Sequence, residues 1–355
     1  MIFAFCLCVL VKSVIFASLF ATLNEADGCK EDSQNTLKVV LPLMLSGGIL
    51  YWMYRGFDFD SIRDVLFNEM SWTWMLLSMP FGVLAQLFRA WRWRLALEPL
   101  GEQPRMRTTA DSIFLSYALS LVVPRVGEVA RCGVLRRYDG VSFAKAIGTV
   151  VTERMVDMVL MLLITALGFA VQLSVFGTFF SRTGTRLGDI AGRFTTAGWL
   201  VTAVCGVAAA VLLLLLLRRM SFYDKVRDSL LSVGKGIASV RRVKSQPRYL
   251  LYSLGIWASY FLHYYLTFFC FDFTANLGIT CALVSFVVGT IAVIVPTPNG
   301  AGPWHFAVKT MLILYGVADT QALYFVLIVH TLQTLLVVLL GIWAAFSLAF
   351  TNPKQ

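Results

Sequence analysis

The sequence predicts an all-α, polytopic integral membrane protein. It has about six full spans, two broken re-entrant hairpins in an inverted repeat, and an extra apolar segment at its N-terminus. Three observations lead there. The chain has 355 residues, 58% hydrophobic and only 14% charged, with a mean hydropathy of +0.74; a soluble domain carries about a quarter charged residues. Its apolar runs last about twenty residues, as helices crossing a bilayer need, instead of alternating in runs of about ten as barrel strands do. Two of these runs are interrupted by clustered proline and glycine.

From the N-terminus, residues 1–36 comprise an apolar segment and a polar linker, "NEADGCKEDSQN" at 24–35. The apolar part reads as a signal-like sequence, an extra helix or a mis-assigned start. It has no positive n-region and no clean small-x-small cleavage site. The main body is 37–350, followed by a short tail, 351–355. Full spans are expected near 37–54, 72–90, 147–176, 196–217, 250–271 and 323–349. The two interrupted regions are 110–137, broken by "PRVGE", and 281–316, broken by "PTPNGAGP". Pro124, Pro296, Pro298 and Pro303 remove helix donors, while Gly127, Gly300 and Gly302 permit turns. An interfacial loop between two short helices is the plainer reading of each break.

The formal net charge of +10 reads as topology signal in loops and not as nucleic-acid binding. Segments 89–107 and 218–248 hold fourteen Lys and Arg, against five in the loops 55–71 and 178–195. Both basic loops are therefore expected in the cytoplasm. "FRAWRWR" at 88–94 reads as an interfacial anchor, and 218–248 as a stretch held to anionic lipid heads. On this orientation the first broken region is entered from the cytoplasm and the second from outside. That is the sequence mark of an inverted-repeat transporter with its site near midplane.

The charged residues beside the breaks carry the chemistry. Arg125, Glu128 and Arg131 follow one another at i,i+3 and share a helix face. Two guanidiniums about one carboxylate leave positive charge in excess, and an arginine fork matches phosphate oxygens. The plainer alternative is an internal ion pair that makes the hairpin tolerable in a membrane. Glu153 and Asp157 share a face at i,i+4 beside Arg154, and read as charge balance, proton carriage or interfacial caps. Asn299 tolerates left-handed backbone. His305 and Lys309 share a face, and His305 reads as a phosphate donor, a proton relay or a satisfied buried histidine. His263 and His330 stand alone in apolar spans and read as packing or simple hydrogen bonding.

Seven cysteines include no CxxC pair, so neither a metal site nor a redox motif is expected. No G-x-x-x-x-G-K-[ST], G-x-S-x-G or H-E-x-x-H occurs, so no cofactor, nucleotide or hydrolase chemistry is expected.

The segments "RAWRWRLALEPLG" (89–101), "PRVGEVARCGVLRR" (124–137), "GTVVTERMVD" (148–157) and "PTPNGAGPWH" (296–305) together resemble the lysylphosphatidylglycerol synthase transmembrane family, also called the flippase-like domain family. The resemblance covers roughly 37–350. It implies a lipid-flipping or lipid-linked glycan role in the cell membrane, with two re-entrant hairpins about a lipid cavity. Relatives often carry a Glu shortly after the second break, where His305 stands here. Bifunctional members add a soluble aminoacyl-transferase domain, so this chain is not expected to make the lysyl-lipid itself.

The leading expectation is therefore a translocase for an anionic or polyprenyl-phosphate lipid, with membrane lipids as its partners. Arg125, Glu128, Arg131, Asn299, Gly300 and Gly302 would hold the head group. Glu153, Arg154, Asp157 and His305 would balance charge or couple to protons. The alternative is an integral-membrane glycosyltransferase, with Glu128 or Glu153 as general base.

Overall fold

A computed structural model describes residues 44, 46–55, 60–121, 126–171, 243, 245–295 and 297–353. The expected N-terminal segment, the span at 196–217 and nearly all of the basic stretch 218–248 lie outside these residues. The described residues are helical, with no strand among them. They fall into two compact units, Met1–Ile147 with Pro247–Gln355, and Gly148–Gln246.

The first unit opens with helix α1 (46–54). Helix α2 (Asp60–Asp64) continues as a π-turn through Val65–Glu69. Helix α3 (Trp72–Leu97) follows, with Pro80 inside it. Two short helices come next, α4 (Met106–Ser120) and α5 (Val126–Asp139). Helix α6 (Phe143–Val171) leaves for the second unit, and α7 (Gln246–Tyr265) returns from it. After a tight turn at Leu266–Cys270 come α8 (Asp272–Ala275), α9 (Gly278–Ala292), α10 (Pro303–Leu314) and α11 (Asp319–Ala349).

Both interrupted regions are helical hairpins. In the first, α4 and α5 pack side by side. They have 15 and 14 residues, about 22 Å each at 1.5 Å per residue, where a span needs about 20 residues. The second pairs α9 with α10, of 15 and 12 residues. Both hairpins lean on α11, which has 31 residues and is long and apolar enough to cross a membrane.

α11 acts as a ruler because the hairpins meet it from opposite ends. At its C-terminal end, the Ser347 hydroxyl donates to Asp111 of α4 at 2.6 Å, and Arg107 donates to Ser347 at 3.1 Å. Arg105, just before α4, donates to the Asn352 carbonyl at 3.0 Å. At its N-terminal end, Lys309 of α10 pairs with Asp319 at 2.8 Å.

Each hairpin has its own packed core. Around the first, Phe114, Leu115, Leu119, Val134, Ala344 and Leu348 are buried together. Around the second, Tyr264, Phe268, Cys281, Leu312 and Phe325 belong to a larger cluster rich in aromatic edge-to-face contacts. Without a hydrophobic drive between helices in lipid, close packing of small residues supplies the attraction. Gly341 supplies it on α11: a Cβ there would run into the Cβ of Ala118. Gly127, expected to permit the turn of the first break, is instead helical within α5, where it does the same: a Cβ would strike the Ser116 carbonyl oxygen.

Helix α3 corrects one expectation. The sequence predicts a span ending near residue 90, with "FRAWRWR" as an anchor at the head groups and 89–107 as a basic loop. The helix continues to Leu97, with Arg89 4% exposed and Arg92 and Trp93 0% exposed. These cations find partners inside the protein, so their charge does not end the helix. Arg89 lies over Tyr117 and Arg92 over Tyr249, each at 5.8 Å, and Arg92 donates to Ser253 at 3.2 Å.

Gly341→Ala is expected to destabilise the protein by about 1–3 kcal/mol through overpacking. Gly133→Ala, with nothing within 4 Å of the added carbon, is expected to be neutral or stabilising. Thermal unfolding of both variants in detergent, followed by fluorescence, compares them; equal melting temperatures would refute a tight α4–α11 seam.

Candidate functional site

The first hairpin is closed at its open end by a clasp. The Arg105 backbone N–H donates to Asp139 Oδ2 at 3.0 Å, its Nε to Oδ1 at 2.6 Å, and its Nη2 to the Tyr138 carbonyl at 2.9 Å. The chain therefore leaves the pair of helices where it came in. The connecting residues 122–125, with Pro124 and Arg125 among them, lie outside the described residues.

Glu128 and Arg131 are both on α5, in the first turn and one turn later. Arg131 is 1% exposed, and its guanidinium lies over the Trp93 ring of α3 at 4.4 Å. The contact is a cation–π one, and it fixes a planar cation that would otherwise lose much rotamer freedom on binding. Glu128 is half-buried, and its backbone carbonyl accepts from the Cys132 thiol at 3.3 Å. Nearby on α4, Tyr117 receives the Tyr260 hydroxyl at 2.7 Å.

The second break is described in more detail. Pro298–Gly300 forms one tight turn, in which Asn299 has φ 55°, followed by Gly300 at 66° and Gly302 at 91°. Asn is one of the few side chains that visit this left-handed region readily. Pro303 then occupies the first turn of α10, where a missing N–H costs nothing. Pro296 is outside the described residues.

The polar groups of this turn are met from two other helices. From α1, the Ser46 hydroxyl donates to the Ala301 carbonyl at 2.9 Å, and Gly302 fits against Ile49. From α11, the Asn299 amide donates to Thr334 Oγ1 at 2.6 Å, and His330 Nε2 lies 3.2 Å from the Asn299 carbonyl. The same Nε2 lies 3.4 Å from the Asn299 amide nitrogen, which only donates, so the ring's tautomer decides which of the two contacts is a hydrogen bond. His305 accepts the Gly302 N–H on Nδ1 at 3.4 Å. This is the task a Glu side chain performs three residues into a capped helix.

The structure brings Asn299, Gly300, Gly302 and His305 into one cluster. It adds His330 and Thr334: the His305 and His330 rings are 4.4 Å apart, and Trp304 lies 5.1 Å from His330. The spacing of His330 and Thr334 at i,i+4 in a helix of apolar residues was the available signal. His263 fits its plainer reading, with Nδ1 2.8 Å from the Ser78 carbonyl. Trp93, taken for a surface anchor, is the platform of Arg131.

In the second unit, Glu153 and Asp157 of α6 are both buried, at 0% and 7% exposed. Arg154 reaches Asp157 at 3.6 Å, one turn along the same helix. No group of three metal-ligating side chains occurs among the described residues.

Comparison with known families matches the Lysylphosphatidylglycerol synthase TM region over residues 39–341. The chain belongs to this family. No curated protein and no solved structure matches it. The match includes α3 to α10, both hairpins and most of α11. Membership makes the chain a membrane protein of a lipid-related family, and the helical fold agrees with that.

Within this family member, the turn at Asn299 is testable. Asn299→Gly keeps the left-handed backbone and loses the Thr334 bond; Asn299→Ala loses both and is expected to be less stable than the glycine variant by about 1–2 kcal/mol. Thermal unfolding in detergent measures the difference, and an alanine variant as stable as the glycine one would refute the strain.

Proposed function

We propose that the protein is a multi-pass lipid translocase that moves a phosphate-bearing or anionic lipid between leaflets. The observation that carries this reading is the pair of short hairpins meeting one long apolar helix from its opposite ends. We read them as re-entrant hairpins in an inverted repeat. The Arg105–Asp139 clasp supports the first, because a hairpin that starts and ends at one place does not cross. Irregular backbone at membrane depth is tolerated only in protein or beside a wet cavity, and the well-satisfied turn at 297–302 fits such a position. Transport would follow from one repeat moving against the other.

In this reading the end of the first hairpin that carries Arg105 and Arg107 faces the cytoplasm, and the hairpin opens there. Arg125 and Arg131 hold the phosphate, with Glu128 between them limiting the excess charge. Trp93 engages the face of the Arg131 guanidinium, while the fork that grips two oxygens lies in its edge. Asn299 and the backbone of Gly300 and Gly302 offer further donors from the other hairpin. Glu153, Asp157 and Arg154 balance charge, and His305 couples the cycle to protons.

The test is head-group-labelled lipid transport in proteoliposomes, over anionic and polyprenyl-phosphate lipids. Arg125→Ala and Glu128→Ala are each expected to slow transport about tenfold to a hundredfold, the scale of losing a charged hydrogen bond, with the folded yield retained. Wild-type rates in both variants would remove this site. Transfer of sugar to a lipid carrier by the purified protein, without movement of any lipid, would replace the translocase by a glycosyltransferase.

A further inference from the structure

Helix α3 carries a polar row through its apolar middle. Ser78, Gly82, Gln86, Arg89 and Trp93 follow one another at spacings of three or four residues, so they share a face, and all are buried. One end of the row belongs to the cationic site, where Arg131 lies over Trp93. The other end, at Ser78, Gly82 and Gln86, meets α7 and α11 instead.

His263 of α7 packs where Gly82 has no side chain. Its Nδ1 lies 2.8 Å from the Ser78 carbonyl, which only accepts, so Nδ1 carries the hydrogen. Neither α3 nor α7 contains an Asp or Glu to hold a second proton on the ring. Nε2 is therefore a bare acceptor. A Cβ on Gly82 would lie 3.0 Å from this Nε2, so the missing side chain is what lets the nitrogen reach α3. From α11, Gln333 donates to the His263 carbonyl at 3.3 Å and fixes the same turn of α7.

Gln86 supplies a second acceptor. It is 3% exposed, and its Oε1 finds no hydrogen-bond partner among the described residues. Helical side chains lean back over the turn before their own. For Gln86 that is the turn of Gly82, where the His263 ring rests. Two buried acceptors from different helices thus converge, and acceptors cannot satisfy each other. Buried polar groups in native proteins are met by a donor in the great majority of cases.

We propose that Gln86 and His263 form a subsite for a neutral O–H donor, between α3 and α7 and one helical turn from Arg89. A hydroxyl fits where a cation does not: α3 and α7 have no carboxylate, and the one on α11, Asp319, is paired with Lys309. The same chemistry is offered by an ordered water and by a hydroxyl of a polyol head group. The second source rests on the translocase reading. Arg89 lies over Tyr117, which receives the hydroxyl of Tyr260, one turn before His263 on α7. A head group with its phosphate at the arginine end reaches the subsite with a hydroxyl.

The chain has three histidines, so their rings can be read singly by ¹⁵N NMR. Full-length protein with ¹⁵N-labelled histidine is placed in nanodiscs of phosphatidylcholine, which has no hydroxyl. A second sample adds phosphatidylglycerol, whose head group has them. The His263 signals are those that persist in both His305→Gln and His330→Gln. His263 is expected in its Nδ1–H form, with the Nε2 resonance moved upfield from that of a bare imidazole nitrogen by the bond it accepts. An upfield position already present in phosphatidylcholine supports the subsite with water as its donor. One that appears only with phosphatidylglycerol supports it with a lipid hydroxyl. A bare Nε2 in both membranes, or a hydrogen carried on Nε2, would overturn the proposal.

Gln86→Leu keeps most of the volume and removes the second acceptor. It is expected to return the Nε2 resonance to the bare position, and a wild-type resonance in this variant also overturns the shared subsite. Lipid movement does not enter these readings, so the two conclusions separate. A bonded Nε2 in a protein that moves no lipid keeps the subsite and ends the translocase reading. Lipid movement with Nε2 bare does the reverse.

Discussion

Backbone that leaves the helix between Val293 and Pro303 carries N–H and C=O groups that no helix satisfies, and in a membrane those groups have to be met by protein. Here three separate elements meet them. Ser46 takes the Ala301 carbonyl, His330 stands 3.2 Å from the Asn299 carbonyl and His305 takes the Gly302 N–H. Remove that requirement and little else about the second hairpin makes sense. It explains the polar residues on an otherwise apolar α11, and the left-handed Asn299. It also explains the small residue that lets α1 come close at Gly302.

The first hairpin meets the same constraint in another way. Its clasp at Arg105 and Asp139 ties the two open ends together, and Gly127 lets the helices approach until the Ser116 carbonyl lies where a side chain would begin. Hydroxyls fold back on their own helices, as Ser120 does to Ser116 at 2.9 Å. Both solutions depend on α11. It receives one hairpin at Gly341 and Ser347, and the other at Asp319, His330 and Thr334. One helix of 31 residues, about 46 Å long, thus holds two elements distant in sequence at different points along its axis.

Buried cations are the second organising feature. A guanidinium in a dry helix packing is costly unless paired or hydrogen-bonded. Arg89, Arg92 and Arg131 each lie over an aromatic ring, and Arg92 has Ser253 as well. The arginines of α3 were misread as a head-group anchor because the residues that accept them, Tyr117, Tyr249 and Ser253, come from α4 and α7. Nothing local distinguishes a Trp–Arg run at a membrane surface from one inside a bundle, since both use the same amphipathic chemistry.

The sequence by itself determined the helical membrane class and where the two apolar regions are interrupted. Each follows from local physics: apolar run length, the missing proline donor, the freedom of glycine and the left-handed tolerance of Asn299. It also singled out Arg131, Glu153, Asp157 and His305, whose charge or polarity in apolar surroundings is visible at the level of a single helix. Only the tertiary structure decided which partners those residues have. That His305 faces His330, that Arg131 rests on Trp93 and that α11 receives both hairpins are contacts between different helices. Such contacts are set by packing between helices, where the periodicity of one helix says which face is buried but not what lies against it.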